Sequence, residues 1–354
     1  IATTIAWAFT WSSGMTSSDK PIGNERHGSQ AVLPKAQFDL VPLFLLIGLT
    51  GSAWLAVGSH SSWLTLTVAG LTMGLIIFVI ASGLTLVFGL MDVLNFGHGV
   101  FIALGAFVAT SVMAFGAQTD LDDTVLLFIS MAVAMAVAAA LGFVFERLII
   151  RPVYGLHLKQ ILITMGGMII GEELIKLTWG PLQIPLPLPD ALRGSWLIHD
   201  AAIEKYRVFA SAVGLLVFAA LLITLTRTKV GLLIRAGVQD RSMVEALGYR
   251  INRLFVGVFV LGSALAGLGG VLWGFYQQSV TAQMGSQVNV LIFIVIIIGG
   301  LGSILGCFVG ALLVGLVANY AGFLEPKIAL FSNIALMVAI LLWRPQGLYP
   351  VSNR

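Results

Sequence analysis

The sequence predicts an all-α, polytopic transmembrane helix bundle of about eight spans, with broken or re-entrant helices near residues 92–99 and 299–303. Three observations carry that expectation. The 354 residues are 58% hydrophobic and 10% charged, where a soluble domain carries about 25% charged residues, and the mean hydropathy is +0.99. Apolar runs of about 20 residues, the length a bilayer requires, alternate with short polar stretches. Small residues recur at four-residue spacing inside those runs, as at Gly262, Ala266, Gly270 and Gly274, or Gly302, Gly306 and Gly310. Such spacing puts flat faces on helices and lets backbones approach closely.

The elements follow in order. The chain opens on Ile1 instead of Met, which suggests that its natural start is missing. Residues 1–11 are too short to span and have no basic n-region, so they are not read as a signal peptide. Residues 1–39 form a largely polar N-terminal extension; 40–348 form the membrane domain; 349–354 are a short tail. Leu40 to Val57 is the first span. Leu64 to Met91 exceeds the usual span length and has room to tilt or break. Asp92, Asn95 and His98 then interrupt the apolar pattern together with Gly97 and Gly99. Val100 to Ala117 and Thr124 to Phe145 span on either side of an acidic loop at 118–123. Glu146 to Gln160 is basic and broken by Pro152, and Ile161 to Trp179 is apolar but carries Glu172, Glu173 and Lys176. A helix–helix polar contact, with Lys176 in reach of Glu172 at i,i+4, is expected there in preference to a substrate role. A proline-rich loop fills 180–205, and Tyr206 to Leu225 spans.

Residues 227–253 are the longest polar interruption of the second half. They hold Arg227, Lys229, Arg235, Arg241, Arg250 and Arg253 against Asp240 and Glu245. Ser242 and Glu245 make a capping-box pattern, and Gly248 is a natural terminator, because a left-handed residue past a helix end is easiest without a Cβ. A short helix over about Met243 to Leu247 is therefore expected, held on a basic loop as a docking surface. Beyond it, Ile251 to Phe275 spans, Val288 to Tyr320 is one apolar run split at Gly299, Gly300, Gly302 and Ser303, and Ile328 to Trp343 is the last span.

Orientation follows from the Lys/Arg bias of short loops. The basic loops at 146–160 and 227–253 are separated by two spans and share the cytoplasmic side; the acidic and proline-rich loops face out. Arg344 and the C-terminus are inside only if the 288–320 run turns back near 299–303. The 92–99 break is its counterpart in the first half, a weak internal pseudo-repeat. Non-helical backbone at membrane depth is tolerated only where protein or a water-filled cavity surrounds it, and broken helices of this kind line transport sites.

No Walker A, GxGxxG, HExxH or GxSxG pattern occurs, and the five His residues show no ligand spacing. The single Cys307 allows neither an internal disulfide nor a zinc cluster. No enzymatic chemistry, and no cofactor, metal or nucleic-acid partner of the chain itself, is therefore expected.

Three stretches resemble LivH-type permeases of branched-chain amino acid ABC importers. They are Gly83 to Gly99, the cytoplasmic loop Gly231 to Gly248, and the pair Ile298 to Gly306 and Trp343 to Gly347. The resemblance runs from about Leu64 to Leu348 and leaves residues 1–60 as an extension. It implies a permease in the bacterial inner membrane, paired with a second LivM-like permease or a second copy. It also implies two cytoplasmic ATPase subunits carrying the ATP and Mg, and a periplasmic substrate-binding protein. It makes Arg235, Asp240, Arg241, Ser242, Glu245 and Gly248 the ATPase-coupling residues, against the plain reading of a solvated basic loop. Asp92, Asn95, His98, Gly299, Gly300 and Ser303 are candidates for the translocation pathway. For Asn95, His98 and Ser303, helix capping is the competing reading. The substrate implied is a branched-chain or other hydrophobic amino acid. The alternatives are urea or short amides, an ATP-independent channel or secondary transporter, and a membrane subunit without a conduction role. An ion-coupled transporter needs charged residues deep in its spans, and the spans are poor in these apart from Asp92 and the Glu172, Glu173 and Lys176 group.

Overall fold

The computed structural model describes residues 40–116, 118–198, 200–239 and 241–350; within helices, the side chains of 235, 238, 239, 241, 242 and 330 are also outside the description. The extension expected over 1–39 lies outside the described residues. What is described is helical. Helix α1 (Val41–Val57) carries Pro42 in its first turn, where the missing N–H costs nothing, and is terminated by Gly58 at φ 68. Helix α2 (His60–Met91) runs 32 residues without a break, capped by the Ser59 hydroxyl. At 1.5 Å per residue it is about 48 Å long, more than a bilayer core requires, so it tilts or projects. Helix α3 (His98–Gly116) and α4 (Asp123–Phe145) follow, the latter capped by Asp122, which accepts from the Thr124 amide at 2.6 Å. The Thr124 hydroxyl and amide together hold the Asp122 carboxyl below the usual carboxylate range.

The chain leaves α4 through a π-helical turn at Glu146–Ile150 and a tighter turn at Arg151–Val153 containing Pro152. Helix α5 (His157–Trp179) then climbs to the proline-rich segment. That segment carries β1 (Ile184–Pro185), β2 (Ser195–Ile198) and β3 (Ala201–Glu204), and β2 and β3 form a hairpin. Helix α6 (Lys205–Arg227) leads to two helices in the basic loop, α7 (Lys229–Gln239) and α8 (Arg241–Ala246). The sequence reading expected only the second, two residues later at its start and one later at its end. Helix α9 (Ile251–Gln277), strand β4 (Ser279–Val280), α10 (Met284–Gly299), α11 (Ile304–Leu324) and α12 (Pro326–Trp343) complete the chain.

The core is built on glycine contacts. Helices α2 and α11 run antiparallel, with Gly70 against Leu316 and Gly74 against Ala311; α2 meets α9 where Gly83 lies on the Gly262 carbonyl. Helix α4 lies antiparallel to α9 through Ala138 with Gly267 and Phe145 with Phe259. With no hydrophobic drive between helices in lipid, such backbone approach maximises van der Waals contact.

Two links define the ends of the bundle. Strand β1 pairs antiparallel with β4, so the segments after α5 and after α9 lie at one end. At the other end His157 lies 3.8 Å from Asp92, and the Leu348 and Tyr349 amides donate to the Ile298 and Gly299 carbonyls. Arg151, Arg227, Arg253 and Arg344 lie at this second, basic end, whereas the first end mixes Asp122, Asp190, Glu204 and Glu325 with Arg193, Lys205, Arg207 and Lys327. The break expected at 299–303 is a hairpin turn at the basic end, and its arms are unequal. Helix α10 has 16 residues and α11 has 21, so the second arm is long enough to cross alone.

Candidate functional site

The irregular segment 92–97 starts where α2 stops. Asp92 takes a left-handed conformation at φ 52, its amide donating to the Phe88 carbonyl, and its side chain stays half-exposed at the basic end. The chain then turns into the bundle. Val93 and Asn95 are fully buried. The His98 ring, also buried, donates through Nε2 to the Ile80 carbonyl at 3.1 Å. Ile80 precedes Met91 by 11 residues, so α3 begins about 16 Å back along α2. The backbone between them therefore runs non-helical inside the protein, as membrane depth demands.

Neighbouring helices satisfy that backbone. The Phe96 amide donates to Thr164 Oγ1 of α5 at 3.2 Å, and its carbonyl accepts from Asn289 Nδ2 of α10 at 3.0 Å. The Phe96 ring packs on Phe293, with centroids 4.6 Å apart. What is left over is polar. Both amide atoms of Asn95, the Asn289 carbonyl oxygen and the Gln160 carbonyl oxygen are buried without a hydrogen-bond partner among the described residues. Each such group carries a penalty of about 1–3 kcal/mol unless something meets it. A water or a passing polar solute is the usual partner of such groups. Asn95 and His98 are thus not side-chain helix caps: one amide is unpartnered and the ring is bound to a different helix.

Ser303 is a cap. Its hydroxyl accepts from the Gly306 amide at 3.1 Å at the start of α11. Gly299 lies against the Gly306 backbone, and Gly300 holds φ 98 beside the Tyr349 carbonyl. These three residues shape a packed corner that clamps residues 347–349.

The basic loop is the third component. Gly248 has φ 85. Its amide donates to the Glu245 carbonyl at 2.9 Å, and the Tyr249 amide reaches Val244 at 3.3 Å. This is a Schellman termination, with the glycine at the left-handed position. Val244 is buried and anchors α8, whereas Met243, Leu247 and Tyr249 point outward, Leu247 being 71% exposed. Helix α7 connects the knob to the bundle: Gly237 lies against Ile251 and Leu90, the latter in the last turn of α2. A cleft of about 260 Å³ adjoins α7, lined by Leu86, Leu221, Ile234, Arg253 and Val258 among others. The side chains of Arg235, Arg241 and Ser242, the last with its half of the capping box, lie outside the described residues, as does Asp240 as a whole.

Sequence reasoning did not single out Asn289, Thr164 or Gln160. Asn289 was findable, as an amide inside an apolar run; Thr164 and Gln160 became visible only once α5 was placed beside 92–97. Lys176, in reach of Glu172 by spacing, instead bonds Glu173 at i,i+3, at 2.6 Å.

A bundle of apolar crossing helices, entered by a polar break and bearing a capped knob on its basic end, defines a polytopic membrane permease. The chain belongs to the permease-component family of branched-chain amino acid transport systems, whose sequence model matches residues 66–342. It is 29% identical over 287 residues to the high-affinity branched-chain amino acid transport permease LivH of Salmonella typhimurium, covering 79% of this chain and 92% of that protein. Identity to the permease BraD of Pseudomonas aeruginosa is 29% over 290 residues, covering 79% and 94%. The permease LivM of Escherichia coli is 27% identical over 317 residues, covering 82% of this chain and 71% of LivM. No solved structure shows a significant match.

Proposed function

We propose that this chain is the membrane-spanning permease subunit of an ABC importer for branched-chain or other hydrophobic amino acids in a bacterial inner membrane. The observation that carries the reading is the family match over nearly the whole helix bundle. Partner ATPases supply the energy, a second permease completes the membrane part, and a periplasmic protein delivers substrate. The charge bias between the two ends supports a cytoplasmic basic end, including the C-terminus.

In this reading Arg235, Asp240, Arg241, Ser242, Glu245 and Gly248 form or position the ATPase contact. Closure of the ATPases pushes on α8. Helix α7 passes that displacement to the Leu90 turn of α2, because close-packed interiors transmit strain. The 92–97 segment hangs from that turn, so Asp92 and Asn95 move with it, while His98 ties the start of α3 to Ile80 farther back along α2. Asn95, with Asn289, offers amide partners to the polar end of an amino acid, while Gly299, Gly300 and Ser303 shape the corner that packs on the last turns of α2 through Gly302 and Gly89.

The test is reconstitution of the co-purified complex in liposomes. ATP-dependent uptake of leucine or valine that requires the binding protein is expected, with urea failing to compete. Uptake of urea in preference to leucine, or uptake without ATP, contradicts the reading. Thiol labelling at Leu247→Cys from the cytoplasmic face only is the matching result for orientation.

A further inference from the structure

Helix α7 is a bridge pinned at both ends. Near its start Gly231 lies on the Leu225 backbone of α6, and near its end Gly237 lies against Leu90 of α2 and Ile251 of α9. Val230 and Ile234, one turn apart on α7, roof the cleft of about 260 Å³. Its walls are Leu86 of α2, Leu221 and Leu225 of α6, and Leu254, Val258 and Leu261 of α9. They extend to Leu221, about 9 Å before the end of α6, and to Leu261, about 15 Å beyond the start of α9. The second figure is the depth of one leaflet of a hydrocarbon core about 30 Å thick.

The cleft is apolar apart from Thr224 and Arg253. Val230 and Leu261 line it and are exposed, as are Leu222 and Ile223 beside it on α6, so it opens sideways onto an apolar surface. Gly257 adds to the space. A Cβ there meets nothing within 4 Å, whereas Gly262, Gly267 and Gly270 farther along α9 lie on the backbone of neighbouring helices. Walls of this kind suit an acyl chain and offer water few partners.

The mouth is cationic. Arg253 lines the cleft at the basic end, is exposed, and has no ion-pair partner among the described residues. Arg227 and Lys229 flank the junction of α6 and α7, and Arg250 precedes α9; all three are exposed. Basic pockets between transmembrane helices hold anionic headgroups. A zwitterionic headgroup brings a cation of its own against these four, so a net-negative one fits better.

We propose that this cleft binds an acyl chain of an anionic phospholipid from the leaflet at the basic end, with the phosphate held by Arg253 and the neighbouring cations. The chain lies under Val230 and Ile234 and against Gly257. Because α7 is the roof, a bound lipid braces the strut between the basic loop and α2. The site rests on the geometry of this chain and not on the importer reading.

The experiment is native mass spectrometry of the co-purified complex, delipidated in detergent and titrated with dioleoyl-phosphatidylglycerol or dioleoyl-phosphatidylcholine. The unsubstituted complex is compared with Arg253→Gln and with Gly257→Leu, which fills the cleft from its wall. The expected result is a phosphatidylglycerol held more tightly than phosphatidylcholine, with its affinity lowered roughly fivefold by Arg253→Gln, as for one cation near a headgroup, and at least as much by Gly257→Leu. Leucine is a better helix former than glycine, so Gly257→Leu is expected to keep its melting temperature. Equal binding of the two lipids overturns the anionic assignment, and unchanged phosphatidylglycerol binding in either variant overturns the site. Competition by glycerol phosphate, which lacks the chains, overturns the lipid in favour of a soluble anion. A photoactivatable amino acid at Leu261 in membranes identifies the occupant directly: a phosphatidylglycerol adduct is expected, and an adduct with another subunit overturns the assignment. Failure of these bindings leaves the importer reading standing, and failure of leucine uptake leaves the lipid site standing.

Discussion

Asn95 carries the sharpest residue-scale consequence. Its amide is buried with neither atom bonded among the described residues, so the folded protein bears a desolvation cost that only a solute or water relieves. Asn95→Leu should therefore keep or raise the melting temperature of the purified complex. Loss of one polar contact of about 1.5 kcal/mol should lower leucine uptake roughly tenfold. A fall in melting temperature with normal uptake would make Asn95 a structural residue. Gly248 makes the opposite kind of demand. At φ 85 a β-branched residue is strained by about 1–2 kcal/mol, and Gly248→Val combined with Glu245→Ala should loosen α8 without disturbing the bundle. The expected result is normal insertion with loss of binding-protein-stimulated ATP hydrolysis; unchanged coupling would remove these residues from the contact.

At the scale of elements, how much was readable from the sequence depended on where the signal lay. Gly248 as a helix terminator was readable because glycine at a left-handed position has a local cause. The breaks at 92–97 and 300–303 were readable because polar residues and paired glycines interrupt long apolar runs. Helix α7 was not: Gly231 and Gly237 and the surrounding basic residues look like loop chemistry, and the helix forms because Leu233, Ile234 and Ala236 dock on the core. The inward path of 92–97 was equally hidden, since it depends on Thr164 and Asn289 arriving from helices about 70 and 190 residues later in the chain. The four-residue spacing of small residues was readable, and its partners were not. Gly262→Leu tests the α2–α9 contact: the added side chain meets the Gly83 backbone. It should cost about 1–3 kcal/mol through overpacking, measured as a lowered midpoint in thermal size-exclusion. An unchanged midpoint would mean that the two helices separate without penalty.

Across the whole molecule, three features lie on one connected path: an apolar knob at α8, a strut at α7 resting on the last turn of α2, and a polar break that begins one residue beyond that turn. The fold class was readable from composition alone, because so little charge leaves no aqueous surface. The path was not, because each step is a contact between elements distant in the chain. The central claim is that movement enters at α8. The most direct test is ATP hydrolysis by the co-purified complex carrying Met243→Glu and Leu247→Glu, with and without the substrate-loaded binding protein. The account predicts that both exposed side chains are needed for the ATPase contact, so stimulation by the binding protein is lost while the permease remains inserted. Full stimulation in that variant would contradict it.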